Sequence, residues 1–64
     1  MPGDAKAAAA QKNAEFQTHM AEGQKLAGQK KFADAAKEYE EALKLFPDNK
    51  DAKDALKRAK DGKP

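Results

Sequence analysis

The 64 residues contain no valine, isoleucine or tryptophan, and only one threonine and one tyrosine. β-Branched and aromatic side chains are what a pleated, half-buried strand packs with, so a sheet has almost nothing to be built from. Alanine, lysine, glutamate, glutamine and leucine dominate instead, and these residues lose little rotamer freedom in a helix. The fold class expected is all-α.

The clearest helix lies in the middle of the chain. Phe32, Ala35, Ala36, Tyr39, Ala42, Leu43 and Phe46 fall within an arc of about 120° at 100° per residue, the width of a core-facing stripe. Leu45 stands off that stripe and would suit contact with a third element. Pro47 has no N–H to donate and biases Phe46 away from the helical region, so this helix is expected to stop there. Asp48 or Asn49 can then cap a further helix, with Asp51 in its first turn and Ala52, Ala55, Leu56 and Ala59 as a narrow apolar stripe. Before the central helix, a first helix is expected from Asp4, as N-cap, to about Ala27, with Gly28 taking the left-handed conformation that ends it. Its opening, "DAKAAAAQKN", has high helix propensity and little to bury. Residues 1–12 are therefore read as an alanine-rich extension, helical or frayed, residues 13–49 as a hairpin, and residues 50–64 as a capping helix and tail.

The core expected is thin. Fifteen of the apolar residues are alanine, and a chain of this length hides only about 60% of the surface its unfolded form exposes. A second copy or a neighbouring domain would add burial.

Several function classes find no support. There is no serine or cysteine and one histidine, so a nucleophile with a positioned base cannot be assembled, and no catalytic activity is expected. Glu15, His19 and Glu22 share one helix face and could offer two carboxylates and an imidazole to a metal. Metal sites in helical proteins draw ligands from several facing helices, however, and nothing comparable stands on the central helix. No metal and no cofactor are expected. Lys50, Lys53, Lys57, Arg58, Lys60 and Lys63 form a basic end, but Asp48, Asp51, Asp54 and Asp61 interleave with them and no aromatic residue lies beyond Phe46 to stack on bases. Nucleic-acid binding is not expected. No apolar run approaches the roughly 20 residues that span a bilayer, and the N-terminus lacks a signal-peptide core, so no membrane association and a cytoplasmic location are expected.

Gly23, Ala35, Tyr39, Ala42 and Pro47 stand at mutual spacings of 12, 4, 3 and 5, and Tyr39 to Asn49 closes with "ALKLFPDN". In this pattern the stretch from Phe16 to Asn49 resembles one tetratricopeptide repeat, a helix-turn-helix unit of 34 residues. Leu26 and Phe32 fill positions where the family has aromatic residues. The sequence departs from the family pattern at His19, Glu22 and Lys30, where tryptophan, leucine and glycine are usual. The resemblance implies a three-helix unit: one hairpin followed by Lys50–Lys60 as the first helix of a next repeat, or as the solvating helix that caps an array. The closing proline lets the next helix turn back and stack.

The resemblance also implies where a partner would sit. In the family, the residues equivalent to Gln17, Met20, Gln24 and Ala27 line a concave groove that receives an extended peptide or partner helix. Phe16, which shares an apolar arc with Met20, Gly23 and Ala27, is expected partly on the groove side; the competing expectation is that Phe16 and Met20 pack on the second or third helix, with Ala55 and Leu56 against them. The subclass that clamps chaperone C-terminal carboxylates uses lysine and asparagine where this chain has Met20 and Gln24, so that specificity is not implied. The function expected is a non-catalytic module for protein–protein interaction or self-association, with a protein or peptide partner or a homodimer. The alternative is a structural spacer or capping repeat of a longer helical array.

Overall fold

The structure, a computed structural model, describes the backbone from residue 2 to residue 63 and the side chains from residue 10 to residue 63. Within it are three helices: α1, Pro2–Gly28; α2, Phe32–Leu45; and α3, Lys50–Lys60. No strand occurs among the described residues. α1 begins ahead of the expected start at Asp4. Of the expected extension 1–12, Met1 and the side chains of residues 2–9 lie outside what is described.

Both α1 and α3 pack against α2. Small residues make this possible. Among the described residues the buried side chains are Ala27, Ala35, Tyr39, Ala42, Ala52 and Ala59, so five of six are a single methyl group, which brings helix backbones close but hides little apolar surface each. Met20, Leu26, Phe32, Ala36, Ala55 and Leu56 surround this cluster half-buried. Among the described residues Tyr39 is the one large buried side chain, and it lies over Gly23 of α1. At 1.5 Å per residue the 27 residues of α1 span about 40 Å, nearly twice the length of α2. The molecule exposes 4688 Å², against about 4000 Å² for a compact protein of this mass. The excess fits a long helix whose first turns run past the end of α2.

The link between α1 and α2 corrects one expectation. Gly28 stays helical, and the left-handed residue is Lys30, with φ of 63°. The Lys31 N–H donates to the Leu26 carbonyl at 2.8 Å and the Lys30 N–H to the Ala27 carbonyl at 3.0 Å, the paired bonds of a Schellman motif with a lysine in the position glycine usually holds. The same motif closes α3 with glycine: Gly62 has φ of 74°, and Lys63 and Gly62 donate to Arg58 and Ala59. At the end of α1 the helix runs one residue further than Ala27, and the chain reverses only at Lys30.

α2 ends as its proline requires. The Phe46 N–H still donates to Ala42, and then Phe46 to Asn49 form a turn closed by the Asn49 N–H on the Phe46 carbonyl at 3.0 Å, with Pro47 pre-setting its first corner. Asn49, not Asp48, caps α3: its side-chain oxygen accepts from the Ala52 N–H at 2.9 Å. Asp51 in the first turn and Lys57, Arg58 and Lys60 in the last complement the helix dipole.

Candidate peptide-binding groove

α1 and α3 flank α2 on the same side and leave a groove between them. One end, of about 290 Å³, is lined by Met20 and Gln24 of α1 and by Asp51, Asp54, Ala55 and Arg58 of α3. The next stretch, of about 190 Å³, is lined by Gln24, Ala27, Tyr39, Ala55, Arg58 and Lys63. Because Gln24, Ala55 and Arg58 border both, the two form one continuous trough. Its apolar lining comes from Met20, Ala55 and the nearly buried Ala27 and Tyr39, and polar groups make up at least half of its surface. Its walls are polar, with Asp51 and Asp54 at the Met20 end, Lys63 at the Ala27 end and Arg58 between them, bordering both stretches.

The helices dictate this arrangement. Met20, Gln24 and Ala27 follow one another at spacings of four and three on α1, and Asp51, Asp54, Ala55 and Arg58 share a face of α3 by the same periodicity. Tyr39 reaches the trough from below, its ring resting on Gly23, where no Cβ intervenes. Burial raises the Tyr39 hydroxyl's pKa above 10.0, and the Arg58 guanidinium partly opposes that rise.

Of the five residues expected to meet a partner, Met20, Gln24 and Ala27 line the trough. Ala27 does so from within the core cluster, almost fully buried. Gln17 is exposed outside it. Phe16 turns elsewhere: its ring packs edge-on against Phe46, with centroids 5.2 Å apart and planes at 83°, while the Lys12 ammonium sits 5.3 Å from the Phe46 ring centre. Phe16 therefore fastens the open end of the α1–α2 hairpin. Of the two leucine and alanine contacts expected from α3, Ala55 faces Met20 across the trough and Leu56 points to the other side.

His19 faces α2, with Nδ1 2.8 Å from Glu38 Oε1, both side chains about one-third exposed. Where a bulky apolar side chain is usual, a polar bridge joins the two helices. Among the described residues no three histidine, aspartate or glutamate side chains gather as a metal site, and no helix is long and apolar enough to cross a membrane.

The sequence model of the tetratricopeptide repeat matches residues 16–49, just over half the chain and the same stretch that forms the end of α1, all of α2 and the turn to α3. The chain belongs to the tetratricopeptide repeat family. No curated protein and no solved structure gives a significant match. The tetratricopeptide repeat is generally a non-catalytic unit that mediates protein–protein interaction, and its period explains the α3 side of the trough. Adding 34 residues to Gln17, Met20 and Gln24 gives Asp51, Asp54 and Arg58, the three charged residues of α3 that line it. Reading α3 as a basic end beside scattered aspartates hid this; the repeat period was the signal that could have found it.

Proposed function

We propose that this tetratricopeptide unit is a non-catalytic protein-interaction module whose partner, an extended peptide segment, lies in the trough between α1 and α3. The observation that carries the reading is the continuity of the trough: apolar contacts offered by Met20, Ala55 and Tyr39, hydrogen-bonding Gln24 and Arg58 at its middle, and charge of opposite sign at its ends, Asp51 and Asp54 at one and Lys63 at the other. Such a site offers a partner apolar contact and adaptable polar contact without burying an unpaired charge. Selection of binders from a random peptide display library tests it. Selected peptides should shift the amide resonances of Met20, Gln24, Ala55 and Arg58, and the double variant Met20→Ala/Arg58→Ala should bind them at least about tenfold more weakly with its helix content retained. Peptides that perturb residues elsewhere, or bind the double variant equally well, would refute the assignment.

Self-association through the same side is the second form of this reading, favoured by the surface the chain leaves exposed. Light scattering over a dilution series distinguishes it, since a homodimer doubles the mass of 6.9 kDa and dissociates on dilution. The structural alternative, a spacer or capping repeat of a longer array, predicts a monomer that selects no peptide at the trough.

A further inference from the structure

A second depression lies on the opposite side of α3, between α3 and α2. It holds about 340 Å³ and is lined by Leu43, Lys53, Leu56, Lys57, Lys60 and Asp61. Leu43 and Leu56 are both half-buried and form an apolar floor. On α3, Lys53, Leu56, Lys57 and Lys60 share an arc of about 100°, turned away from the arc of Asp51, Asp54, Ala55 and Arg58 that faces the trough. The rim thus sets three ammonium groups against the one carboxylate of Asp61, and none of the three lysines is ion-paired with a described residue.

We propose that this depression receives an acidic amphipathic helix of a partner protein, its apolar stripe entering between Leu43 and Leu56 and its flanking glutamates or aspartates meeting Lys53, Lys57 and Lys60. Two helices running side by side leave a groove into which a third nests, and the anchors of such a helix recur at i, i+4 and i+7. The charge of the rim selects the occupant. A second copy docked by the same face would set lysine against lysine, which like-charge repulsion disfavours. A further repeat stacking as α2 stacks on α1 is opposed too. Lys57 and Lys60 stand 34 residues after Gly23 and Leu26, so the bare backbone that seats Tyr39 on α1 has no counterpart on α3. Long lysine stems can instead lie along an apolar helix while their ammonium groups remain in water beside its carboxylates.

The test uses the full chain and a designed, fluorescently labelled helical peptide with leucines at i, i+4 and i+7 and glutamates beside them, measured by anisotropy at low salt. Two companion peptides replace every glutamate with lysine, or every leucine with alanine. The acidic leucine peptide is expected to bind saturably, and both companions at least about tenfold more weakly. In Lys53→Glu/Lys57→Glu, changed only at exposed positions and checked for unaltered helix content, the preference should invert toward the lysine peptide. No saturation by about 1 mM, equal binding of the acidic peptide by the charge-reversed variant, or loss of binding on Met20→Ala/Arg58→Ala would overturn the proposal. The last of these would assign the acidic helix to the trough instead.

Discussion

Gly23→Ala isolates the contact on which the hairpin's packing rests. A Cβ placed at Gly23 would lie 2.7 Å from Cδ1 and 2.8 Å from Cζ of Tyr39, well inside ordinary van der Waals contact at 3.4–4 Å. Tyr39 is 3% exposed, so either its ring must shift toward the trough that it borders or α1 must lift from α2, and both moves loosen the contact. Two terms oppose each other. Alanine is worth about 1 kcal/mol over glycine in a helix interior, while overpacking a filled core costs about 1–3 kcal/mol. The net expectation is a loss of about 0–2 kcal/mol, or a melting temperature lower by up to roughly 16 °C for a domain of this size. Gly28→Ala supplies the control, because Gly28 is helical with nothing within 4 Å of an added Cβ; only the propensity term acts there, and that variant should be slightly stabilised. Thermal and urea melts followed by circular dichroism measure both. A third variant completes the reasoning: in Tyr39→Leu the added methyl of Gly23→Ala should cost less than in the parent chain, by a coupling of about 1 kcal/mol or more. If Gly23→Ala raises stability as Gly28→Ala does, the ring does not rest on the glycine, and α1 and α2 are not held together by this contact.

Lys30→Gly should stabilise the chain. A left-handed residue with a Cβ costs about 1–2 kcal/mol, and the extra freedom glycine gives the unfolded chain returns about 0.5–1 kcal/mol of that, leaving a gain of roughly 0.5–1 kcal/mol that a melt resolves; an equal gain from Lys30→Ala would contradict the backbone argument. Tyr39 should make the fold sensitive to alkali. Its hydroxyl is raised above 10.0 in the folded chain, chiefly by burial, so its contribution is intact below about pH 10 and is lost as pH rises from there toward the folded pKa, because the unfolded chain then releases a proton that the folded chain holds. Urea midpoints between pH 8 and 11 should fall less steeply in Tyr39→Phe than in the parent, and parallel slopes would refute this.

The second helix and its ending were legible because each depends on local chemistry: a stripe from Phe32 to Phe46 states which face is buried, and Pro47 removes an N–H wherever it stands. The third helix followed from the same rules, leaving open only the choice between Asp48 and Asn49, which turns on where the Phe46–Asn49 turn delivers the chain. Two residues were misplaced for a different reason. Gly28 has the freedom to adopt a left-handed conformation, but the carbonyls of Leu26 and Ala27 accept from the Lys31 and Lys30 N–H groups, so the reversal falls on Lys30 at a site with no intrinsic preference for it. Phe16 shares its arc with Met20, yet periodicity fixes only the face and not the neighbour, and at the hairpin's open end the neighbour is Phe46. The trough was half legible. Its α1 wall came from the repeat pattern, and the 34-residue period could have added Asp51, Asp54 and Arg58, whereas Tyr39 at the bottom and Lys63 as a wall depend on how α3 lies against α2, which no single helix encodes.

An interior made of alanine has a thermodynamic consequence of its own. Unfolding exposes little apolar surface here, so both the heat-capacity change and the denaturant dependence should be small, since each scales with the area exposed. The melt is then broad, and its midpoint moves far for a modest free energy. A ligand present at 100 times its dissociation constant adds about 2.7 kcal/mol, which for a domain of this length corresponds to a rise of roughly 11–22 °C. The same thin core therefore makes the melting temperature a sensitive gauge of occupancy, and a partner of either groove should move it about twice as far as the same binding free energy would move a domain of 150–250 residues.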